Sequence, residues 1–600
     1  MLFFLQSRLS SAASFWPRAL IANPLKVNMQ TKLWTIIACA ALPVLNGCGG
    51  SSAPPPPAVA FNCAAIKDFS LANLSVIRAD RVEANTAKPA DPFSGAPVGE
   101  YLPAHCVVEG AINARTGKAF SMNPATFTVS QVDASYAIGF ELRLPKDWNG
   151  RFFFQGGGGL DGLLRQAVGV FDPQQGAAAN ALARGFAVVS TDAGHRGTSA
   201  FDGNFGADAQ ARIDYAYNAV DQVTLKSKDI VQRYYGKQPD KSYFVGCSNG
   251  GRQAMLASQR FASHFDGIVA GDPGFNLMNA VSNTLTDVLA VAAIVPPGAT
   301  TPLGPDLGKA FSQADRALIG SAIVGRCDVK GRDNLADGII SDPQACDFNP
   351  QAHIPTCTGA NDGTCLSVGQ KGALAAMTSG GKTSQGAPLY SDYFYDAGFG
   401  SASWSIWKLD GIPVPLSPAL TLSLGLNQIA GMDGPGKVFS TPANPGFSPF
   451  AFNPDADPAK FAEFGKLANA TSTDLSAYKS RGGKLIMYNG NSDPLFSSKD
   501  IVRYHSALSA ANGGDASSFA RLFLVPGMAH CSGGPATDGF DPLTAIQTWV
   551  EQGTAPEVIV AKAGPFTPWP GRTRPLCAHP KVAVYKGTGS VEDASNFSCQ

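Results

Sequence analysis

Apolar residues along the chain recur with two different periods, and the alternation between them predicts the fold. From about residue 120, short apolar runs bounded by turn residues alternate with segments in which apolar residues recur at helical spacing. This pattern is typical of a mostly parallel sheet with helices on both faces. A long helix is predicted over residues 209–235. The predicted strands are 137–144, 151–155, 185–191, 242–246, 267–270, 484–488 and 521–525.

The strand and helix alternation stops at residue 274 and resumes at Lys484. The intervening stretch contains close cysteine pairs, acidic loops, proline-rich turns and aromatic clusters. The chain is also longer than one ordinary domain. We therefore predict an α/β core formed by residues 61–274 and 474–600, interrupted by an inserted lid domain of residues 275–473.

The first 60 residues have the composition of a targeting segment followed by a tether. A short basic start at Met29 precedes an apolar stretch, residues 33–45, that is too short for a typical membrane span. Leu45-Asn46-Gly47-Cys48 resembles a bacterial lipobox in which Cys48 would be lipidated; because Asn46 is not the usual small residue, ordinary signal cleavage stays the alternative. Residues 1–48 are thus predicted to be a lipoprotein signal, with Met29 as an alternative start, and the proline-rich residues 49–60 a tether.

Charge and cysteine content restrict the partners and the compartment. The 46 Lys and Arg residues balance the 46 Asp and Glu residues, which argues against a nucleic-acid-binding face and favours a small neutral or aromatic partner. Ten cysteines remain outside the targeting segment, an even number that favours export to the periplasm, outer membrane or medium. Spacing suggests three disulfides but does not determine connectivity. The suggested pairs are Cys327–Cys346, Cys357–Cys365 and Cys577–Cys599, which leaves Cys63, Cys106, Cys247 and Cys531.

Ser248 lies in a Gly-x-Ser-x-Gly motif between a predicted strand and a predicted helix. In α/β-hydrolases this turn presents the nucleophilic serine, because flanking glycines permit a strained backbone and the helix N-terminus favours developing negative charge. The motif often occurs by chance, and a solvated serine in a glycine-rich turn is the alternative. The strand, turn and helix context favours Ser248 as a nucleophile.

A nucleophilic serine needs an acid and a histidine, which follow it in that order in this fold class. His530 follows the predicted strand 521–525 through a short loop, from which a base could reach the site. Asp493 lies on the loop after strand 484–488, and its alternative role is that of a turn cap. Asp500 is the alternative acid. The less suitably placed histidines are His264, His353, His505 and His579.

Two further features adjoin the predicted catalytic residues. Cys247 precedes Ser248 and Cys531 follows His530, so a disulfide would hold nucleophile and base together; two separate buried thiols are the alternative. A run of four glycines ends at residue 159, after an early strand, where bare N–H groups can point at an oxyanion. The predicted oxyanion hole is Gly157 or Gly158 together with the N–H of Asn249, and a merely flexible loop is the alternative.

The motifs Gly-Cys-Ser-Asn-Gly-Gly-Arg, the late Asp-Pro and Gly-Met-Ala-His-Cys resemble the tannase and feruloyl esterase family, which includes the mono(hydroxyethyl) terephthalate hydrolases. The resemblance extends from about Cys63 to the C-terminus. It implies an α/β-hydrolase with an inserted lid that hydrolyses esters of aromatic acids. It also implies a disulfide between Cys247 and Cys531.

The segment between Cys327 and Cys346 is similar to the calcium loop of that family, and hard oxygen ligands suit Ca²⁺. Two extra residues after Asp328, and Asn334 in place of the usual glycine, depart from the family pattern. A metal-free acidic turn is the alternative. The ligands that the resemblance implies are the side chains of Asp328, Asp333 and Asp337 and the carbonyls of Leu335 and Ile339.

Three aromatic residues are candidates to hold an aromatic substrate: Trp404, Trp407 and Phe496. Packing inside the lid is their alternative role. Relatives that hydrolyse terephthalate half-esters bind the free carboxylate with a lid arginine, but this sequence has no arginine between Arg332 and Arg481. Lys408 would supply only a point charge.

We therefore predict a serine esterase acting on feruloyl or galloyl esters. Mono(hydroxyethyl) terephthalate hydrolysis is the first alternative. A non-catalytic, surface-anchored binding lipoprotein is the alternative from another class, and the presence of all three catalytic candidates argues against it. Nothing in the sequence specifies a groove for peptide hydrolysis.

Overall fold

A nine-stranded sheet organises the part of the chain that the computed structural model describes, namely residues 61–600 without 92–94, 124–125, 127, 302–303, 331–332, 334, 410–411, 418–419 and 425–432. The predicted signal with Cys48 and the predicted tether lie outside the described residues. None of the helices described here combines the length and hydrophobicity that a membrane crossing needs. The strands are β1 (Leu74–Val82), β2 (His105–Met122), β3 (Val129–Pro145), β4 (Arg151–Gln155), β5 (Ala187–Thr191), β6 (Lys241–Cys247), β7 (Gly267–Gly271), β8 (Lys484–Gly490) and β9 (Ala520–Val525).

The strands lie in the order β1-β2-β3-β5-β4-β6-β7-β8-β9. Neighbours from β1 to β5 pair antiparallel, and all neighbours from β5 to β9 pair parallel. Strands β5 and β7 are buried at every position, as parallel strands covered on both faces should be. The predicted α/β fold is confirmed. The long antiparallel strands β1 and β2 were not predicted, because polar, exposed positions interrupt their apolar pattern.

Helices cover both faces of the sheet. Alternate side chains of β4 point to opposite sides, so that Phe152 and Phe154 belong to one apolar cluster and Phe153 to another. The α-helices are α1 (Ala209–Ile213), α2 (Ala219–Tyr235), α3 (Asn249–Arg260), α4 (Leu277–Ala292), α5 (Gln313–Cys327), α6 (Pro350–His353), α7 (Val368–Thr378), α8 (Ala402–Lys408), α9 (Pro458–Ala468), α10 (Ser476–Ser480), α11 (Ser498–Ala511) and α12 (Pro542–Gln552). The described residues also form five two-stranded sheets: Val170–Asp172 with Gly176–Asn180, Thr300–Thr301 with Gly304–Pro305, Ile412–Ser417 with Leu420–Leu424, Val558–Lys562 with Thr573–Cys577, and Ala583–Tyr585 with Phe597–Cys599.

The long helix predicted over residues 209–235 is interrupted by a π-helical turn, Asp214–Asn218. Arg252 donates to the carbonyls of two residues in this turn, Tyr215 at 3.1 Å and Ala216 at 2.7 Å. A π-turn leaves carbonyls free for such partners, and it commonly occurs beside functional sites. Apolar periodicity alone does not reveal it.

The chain leaves the sheet after β7 and returns at β8, which pairs directly with β7. Most of the residues between these strands, 275–473, are called the lid below. The lid has an apolar cluster of its own, which includes Ile323, Leu374 and Trp404. The ten cysteines in the described part of the chain form five disulfides: Cys63–Cys106, Cys247–Cys531, Cys327–Cys346, Cys357–Cys365 and Cys577–Cys599.

Candidate active site

Ser248 occupies the turn between β6 and α3 with φ +63° and ψ −124°, a backbone conformation that is strained for a residue with a Cβ. The flanking glycines make this turn possible. A Cβ at Gly246 would lie 2.5 Å from the carbonyl oxygen of Gly250, and one at Gly250 would lie 2.7 Å from that of Gly157. The local sequence therefore builds a tight elbow that presents a half-buried serine at the end of a strand.

Asp493 and His530 lie on the loops that follow the adjacent strands β8 and β9. Nδ1 of His530 is 2.8 Å from Oδ2 of Asp493, and both residues are buried. Oδ1 of Asp493 accepts the N–H groups of Leu495 at 2.7 Å and Phe496 at 3.0 Å. These contacts fix the carboxylate, which in turn fixes the orientation of the imidazole.

The alternative residues lie elsewhere. Asp500 is on α11 and accepts a hydrogen bond from Asn276 at 3.2 Å. His264 contacts Asp221 at 2.7 Å, and the N–H of Asn349 donates to His353. The rings of His505 and His579 lie 6.0 Å apart.

A disulfide joins the residue before Ser248 to the residue after His530. The Cα atoms of Cys247 and Cys531 are 6.0 Å apart, within the normal range. Sγ of Cys531 lies 3.9 Å from Nε2 of His530. The Nε2 edge of the imidazole is thus held beside the covalent link to the elbow.

Two of the three N–H groups that were predicted to bind an oxyanion have no acceptor among the described residues. The N–H of Gly157 donates to Oε1 of Gln253 at 3.1 Å, so the structure removes Gly157 from the predicted pair of candidates. Within the described part of the chain, no acceptor binds the N–H of Gly158 or of Asn249. A Cβ at Gly158 would meet no atom within 4 Å, and Asn249 begins α3 and lines the cavity described below.

Asp161, which was not predicted to be a site residue, forms hydrogen bonds with two residues of α3 beside the glycine loop. Its buried carboxylate accepts the side-chain amides of Asn249 and of Gln253, the latter at 2.8 Å. Burial raises the pKa of Asp161 to about 6, although the hydrogen bond from Gln253 opposes the shift. Asp161 and Gln253 together tie the glycine loop to α3. No motif identifies them, because their partners are far away in sequence.

A largely apolar cavity of about 800 Å³, including space open to solvent, adjoins Ser248. Trp407 and Phe496 line it, and their ring centroids lie 4.9 Å and 5.4 Å from that of His530. Trp404 does not line it. Its ring stacks on Phe399 at 5.0 Å inside the lid cluster, so the structure places this predicted substrate residue in lid packing instead. Helical spacing explains the difference, because Trp404 and Trp407 are three residues apart and α8 lies between the lid core and the cavity.

Arg252 is the only cation among the described residues that line this cavity, and its guanidinium is already bound. Besides the two π-turn carbonyls, it donates to the carbonyl of Ala468 at 3.1 Å and to Oδ1 of Asn249 at 2.8 Å. Lys408 is buried against Asp287 and lies over the ring of Tyr393. Neither cation is therefore free to bind a substrate carboxylate.

The three aspartates that are predicted to bind calcium have different surroundings. Oδ1 of Asp328 is buried without a hydrogen-bond partner among the described residues, while Oδ2 accepts the N–H of Gly338 at 2.9 Å. Burial raises the pKa of Asp328 to about 6, and the nearby charges of Asp337 and Asp333 raise it further. Asp337 pairs with Arg574. Carboxylate oxygens are suitable ligands for a hard cation. However, these three described aspartates do not form a group in which one oxygen of each lies within 4.8 Å of the other two.

Comparisons with known proteins match most of the chain. The family model described as tannase and feruloyl esterase matches residues 125–600. Mono(2-hydroxyethyl) terephthalate hydrolase of Piscinibacter sakaiensis is 42% identical over 83% of this chain and 85% of that protein. A probable feruloyl esterase B-2 of Aspergillus flavus is 31% identical over 70% of this chain and 76% of its own length.

Solved structures agree with this result. The crystal structure of feruloyl esterase B from Aspergillus oryzae matches with a TM-score of 0.70 at 25% identity, covering 90% of this chain and 99% of that one. The described core and lid therefore correspond to a known α/β-hydrolase architecture. Because the family model spans the elbow, the acid–histidine pair and the lid, the chain belongs to the tannase and feruloyl esterase family and is a carboxylic ester hydrolase.

Proposed function

We propose that this chain is an exported serine esterase that hydrolyses esters of phenolic acids, such as feruloyl and galloyl esters. The observation that carries the proposal is a largely apolar cavity lined by Ser248 and by aromatic side chains, in which none of the described lining residues offers a free cation. An aromatic acyl group can pack against Trp407 and Phe496, whose rings also flank His530. The five disulfides support export, because such bonds persist in oxidising compartments. Cys48 is the proposed lipid attachment site, with simple signal cleavage as the alternative.

The first half of the proposed reaction forms an acyl-enzyme. Oγ of Ser248 attacks the ester carbonyl carbon while Nε2 of His530 takes the hydroxyl proton. The N–H groups of Gly158 and Asn249 stabilise the negative oxygen of the tetrahedral intermediate. The carbon–oxygen bond to the alcohol then breaks, and His530 gives its proton to the leaving alcohol.

The second half hydrolyses the acyl-enzyme. His530 takes a proton from water, whose oxygen attacks the acyl carbon and forms a second tetrahedral intermediate. Its collapse breaks the bond to Ser248, returns the proton to Oγ and releases the acid. Asp493 remains a carboxylate throughout and stabilises the imidazolium in both halves.

Hydrolysis of mono(hydroxyethyl) terephthalate is the second candidate, because a hydrolase of that ester is 42% identical to this chain. Its substrate carries a free carboxylate, which is costly to place in an apolar cavity without a cationic partner. Arg252 and Lys408 are both engaged by buried groups. These contacts favour phenolic esters.

A hydrolysis panel separates the two candidates. We expect kcat/KM for methyl ferulate or methyl gallate to exceed that for mono(hydroxyethyl) terephthalate by about tenfold or more, a difference of about 1.4 kcal/mol. Ser248→Ala is the control and should lose activity on all three esters. Rapid turnover of only the terephthalate ester would show that this ester, and not a phenolic ester, is the substrate. It would not contradict the serine mechanism.

We also propose that the loop between Cys327 and Cys346 binds a structural Ca²⁺ ion. The candidate ligands are the side chains of Asp328, Asp333 and Asp337 and the carbonyls of Leu335 and Ile339. The partnerless buried oxygen of Asp328 supports this assignment. EDTA should lower the melting temperature of the wild-type protein and change that of Asp328→Asn much less. An atomic-absorption measurement without calcium would remove the site.

A further inference from the structure

A second aspartate lies directly behind the acid–histidine pair. Asp272 follows β7 and is fully buried. Its N–H donates to the carbonyl of Tyr488 at 2.8 Å, and its Oδ1 accepts the N–H of Gly490 at 2.8 Å. Asp272, Asp493 and His530 each place one side-chain atom within 4.8 Å of the others. Two carboxyl groups therefore share one buried site with a single imidazole.

The hydrogen-bond donors are divided unequally between these carboxyl groups. Asp493 accepts from His530 and from two backbone N–H groups, as described above. Asp272 accepts the backbone N–H groups of Gly490 and Cys531 but, among the described residues, no side-chain N–H, and its Oδ2 lies 3.6 Å from Sγ of Cys247, which is in a disulfide and has no proton to donate. Donors to the charged form stabilise that form, so Asp493 is the better place for the negative charge.

Among the described titratable groups that face Asp272, only His530 can carry a positive charge, and it pairs with Asp493. These titratable groups are Asp493 and His530 on the loops after β8 and β9, and Tyr488 on β8. Burial raises the pKa of Asp272 well above its usual range, and the Asp493 charge raises it further. Ionising both carboxyl groups would place two like charges close together in a buried site, at a high cost in electrostatic free energy.

We infer that Asp272 is a protonated carboxylic acid that donates its hydrogen to Asp493 and positions that residue for catalysis. The inference rests on the proposed serine mechanism. Asp272 transfers no proton in the reaction. Its hydrogen bond stabilises Asp493 without adding a second negative charge near His530, which would hold the imidazolium too firmly to release its proton.

Two substitutions test the inference through the pH dependence of kcat/KM on methyl ferulate. Asp272→Asn keeps a donor for Asp493 and an oxygen for the N–H of Gly490. Its kcat should therefore fall only a few fold, and the acid limb of its pH–rate profile should stay at the wild-type pH. Asp272→Leu removes the donor. Its kcat/KM should fall about 10- to 100-fold. Its acid limb should move to higher pH, because the unassisted Asp493 carboxylate stabilises the imidazolium more strongly.

Three results would overturn the inference. An acid limb that moves to lower pH in both variants would show that wild-type Asp272 is ionised. A limb that moves in neither variant would show a purely structural role. Infrared difference spectra of wild type and Asp272→Asn at neutral pH should contain the carbonyl band of a protonated carboxylic acid, and its absence would also refute the inference, whether or not Asp272→Leu folds. Loss of wild-type activity in Ser248→Ala tests the serine mechanism separately.

Discussion

Neighbouring groups, and not residue type, decide what each aspartate near Ser248 does. Asp493 contacts the imidazole of His530 and accepts two backbone N–H groups. Asp161 binds two side-chain amides, yet burial raises its pKa to about 6. Asp272 has another carboxyl group as its neighbour. All three residues are aspartates, and only their contacts distinguish their different roles.

At the residue scale, the oxyanion assignment predicts the effect of a change at Gly158. Gly158→Pro removes the N–H group and should lower kcat about 100- to 1,000-fold. Gly158→Ala is the matched control, because it keeps the N–H and its Cβ would meet no atom within 4 Å. Steady-state kinetics and melting temperatures of both variants test this. Equal kcat values for the two variants would contradict the assignment.

The two lid tryptophans provide a second test at this scale. Trp407→Ala opens the cavity wall and should raise KM for methyl ferulate, because aromatic packing against the acyl group is lost. Trp404→Ala leaves a hole in the lid cluster and should lower the free energy of unfolding by about 3–5 kcal/mol. Denaturant unfolding and steady-state kinetics separate the effects. A larger KM change in Trp404→Ala than in Trp407→Ala would be inconsistent with the described cavity.

At the scale of elements, one lid residue connects the loops that hold the acid and the base. Oδ2 of Asp396 accepts Oγ of Ser492 at 2.6 Å and the N–H of Gly527 at 2.7 Å. The N–H of Gly398 also donates to Oγ of Ser492, at 2.9 Å. These loops follow β8 and β9 and continue to Asp493 and His530. The lid therefore helps to hold the loops of Asp493 and His530 in addition to lining the cavity.

Asp396 should also make stability depend on pH. Burial raises its pKa from 3.8 to about 6, so ionisation costs more in the folded than in the unfolded chain. Its contribution to folding is thus present below pH 4 and is lost as pH rises through 6. Asp396→Asn should remove this loss, which amounts to up to about 3 kcal/mol. If the free energy of unfolding changed by the same amount between pH 4 and pH 7 in wild type and variant, the expectation would be contradicted.

The elements that hold the proposed catalytic residues could be predicted from sequence because local patterns define them. Ser248 lies between a strand and a helix, and Asp493 and His530 each follow a buried strand, so the parallel sheet brings their loops together. The supporting residues could not be predicted. Asp272 and Asp396 act on loops more than 90 residues away in sequence, as in the contact of Asp396 with Ser492. No periodicity or spacing reveals such contacts.

At the scale of the whole molecule, the lid separates the two halves of the core in sequence, and the sheet and one disulfide rejoin them. Cys247 and Cys531 are 284 residues apart in sequence, whereas Cys357 and Cys365 are 8 apart. Closing the longer loop restricts the unfolded chain more strongly. The long-range disulfide also adjoins both Ser248 and His530.

This difference predicts unequal effects of removing the two disulfides. A Cys247→Ser/Cys531→Ser double variant should lower both kcat and the free energy of unfolding, the latter by about 2–5 kcal/mol. Cys357→Ser/Cys365→Ser is the control and should affect stability less and kcat little, because its bond lies in the lid away from Ser248. Equal kcat losses in the two variants would show that the long-range bond has no special role at the site.

The central claim is that Ser248 is a nucleophile activated by His530, and covalent labelling tests it most directly. Intact-mass spectrometry after treatment with a fluorophosphonate should show one adduct per wild-type chain, located on Ser248. The adduct should be absent from Ser248→Ala and should form much more slowly in His530→Ala. An unlabelled wild-type protein, or equal labelling of Ser248→Ala, would contradict the account.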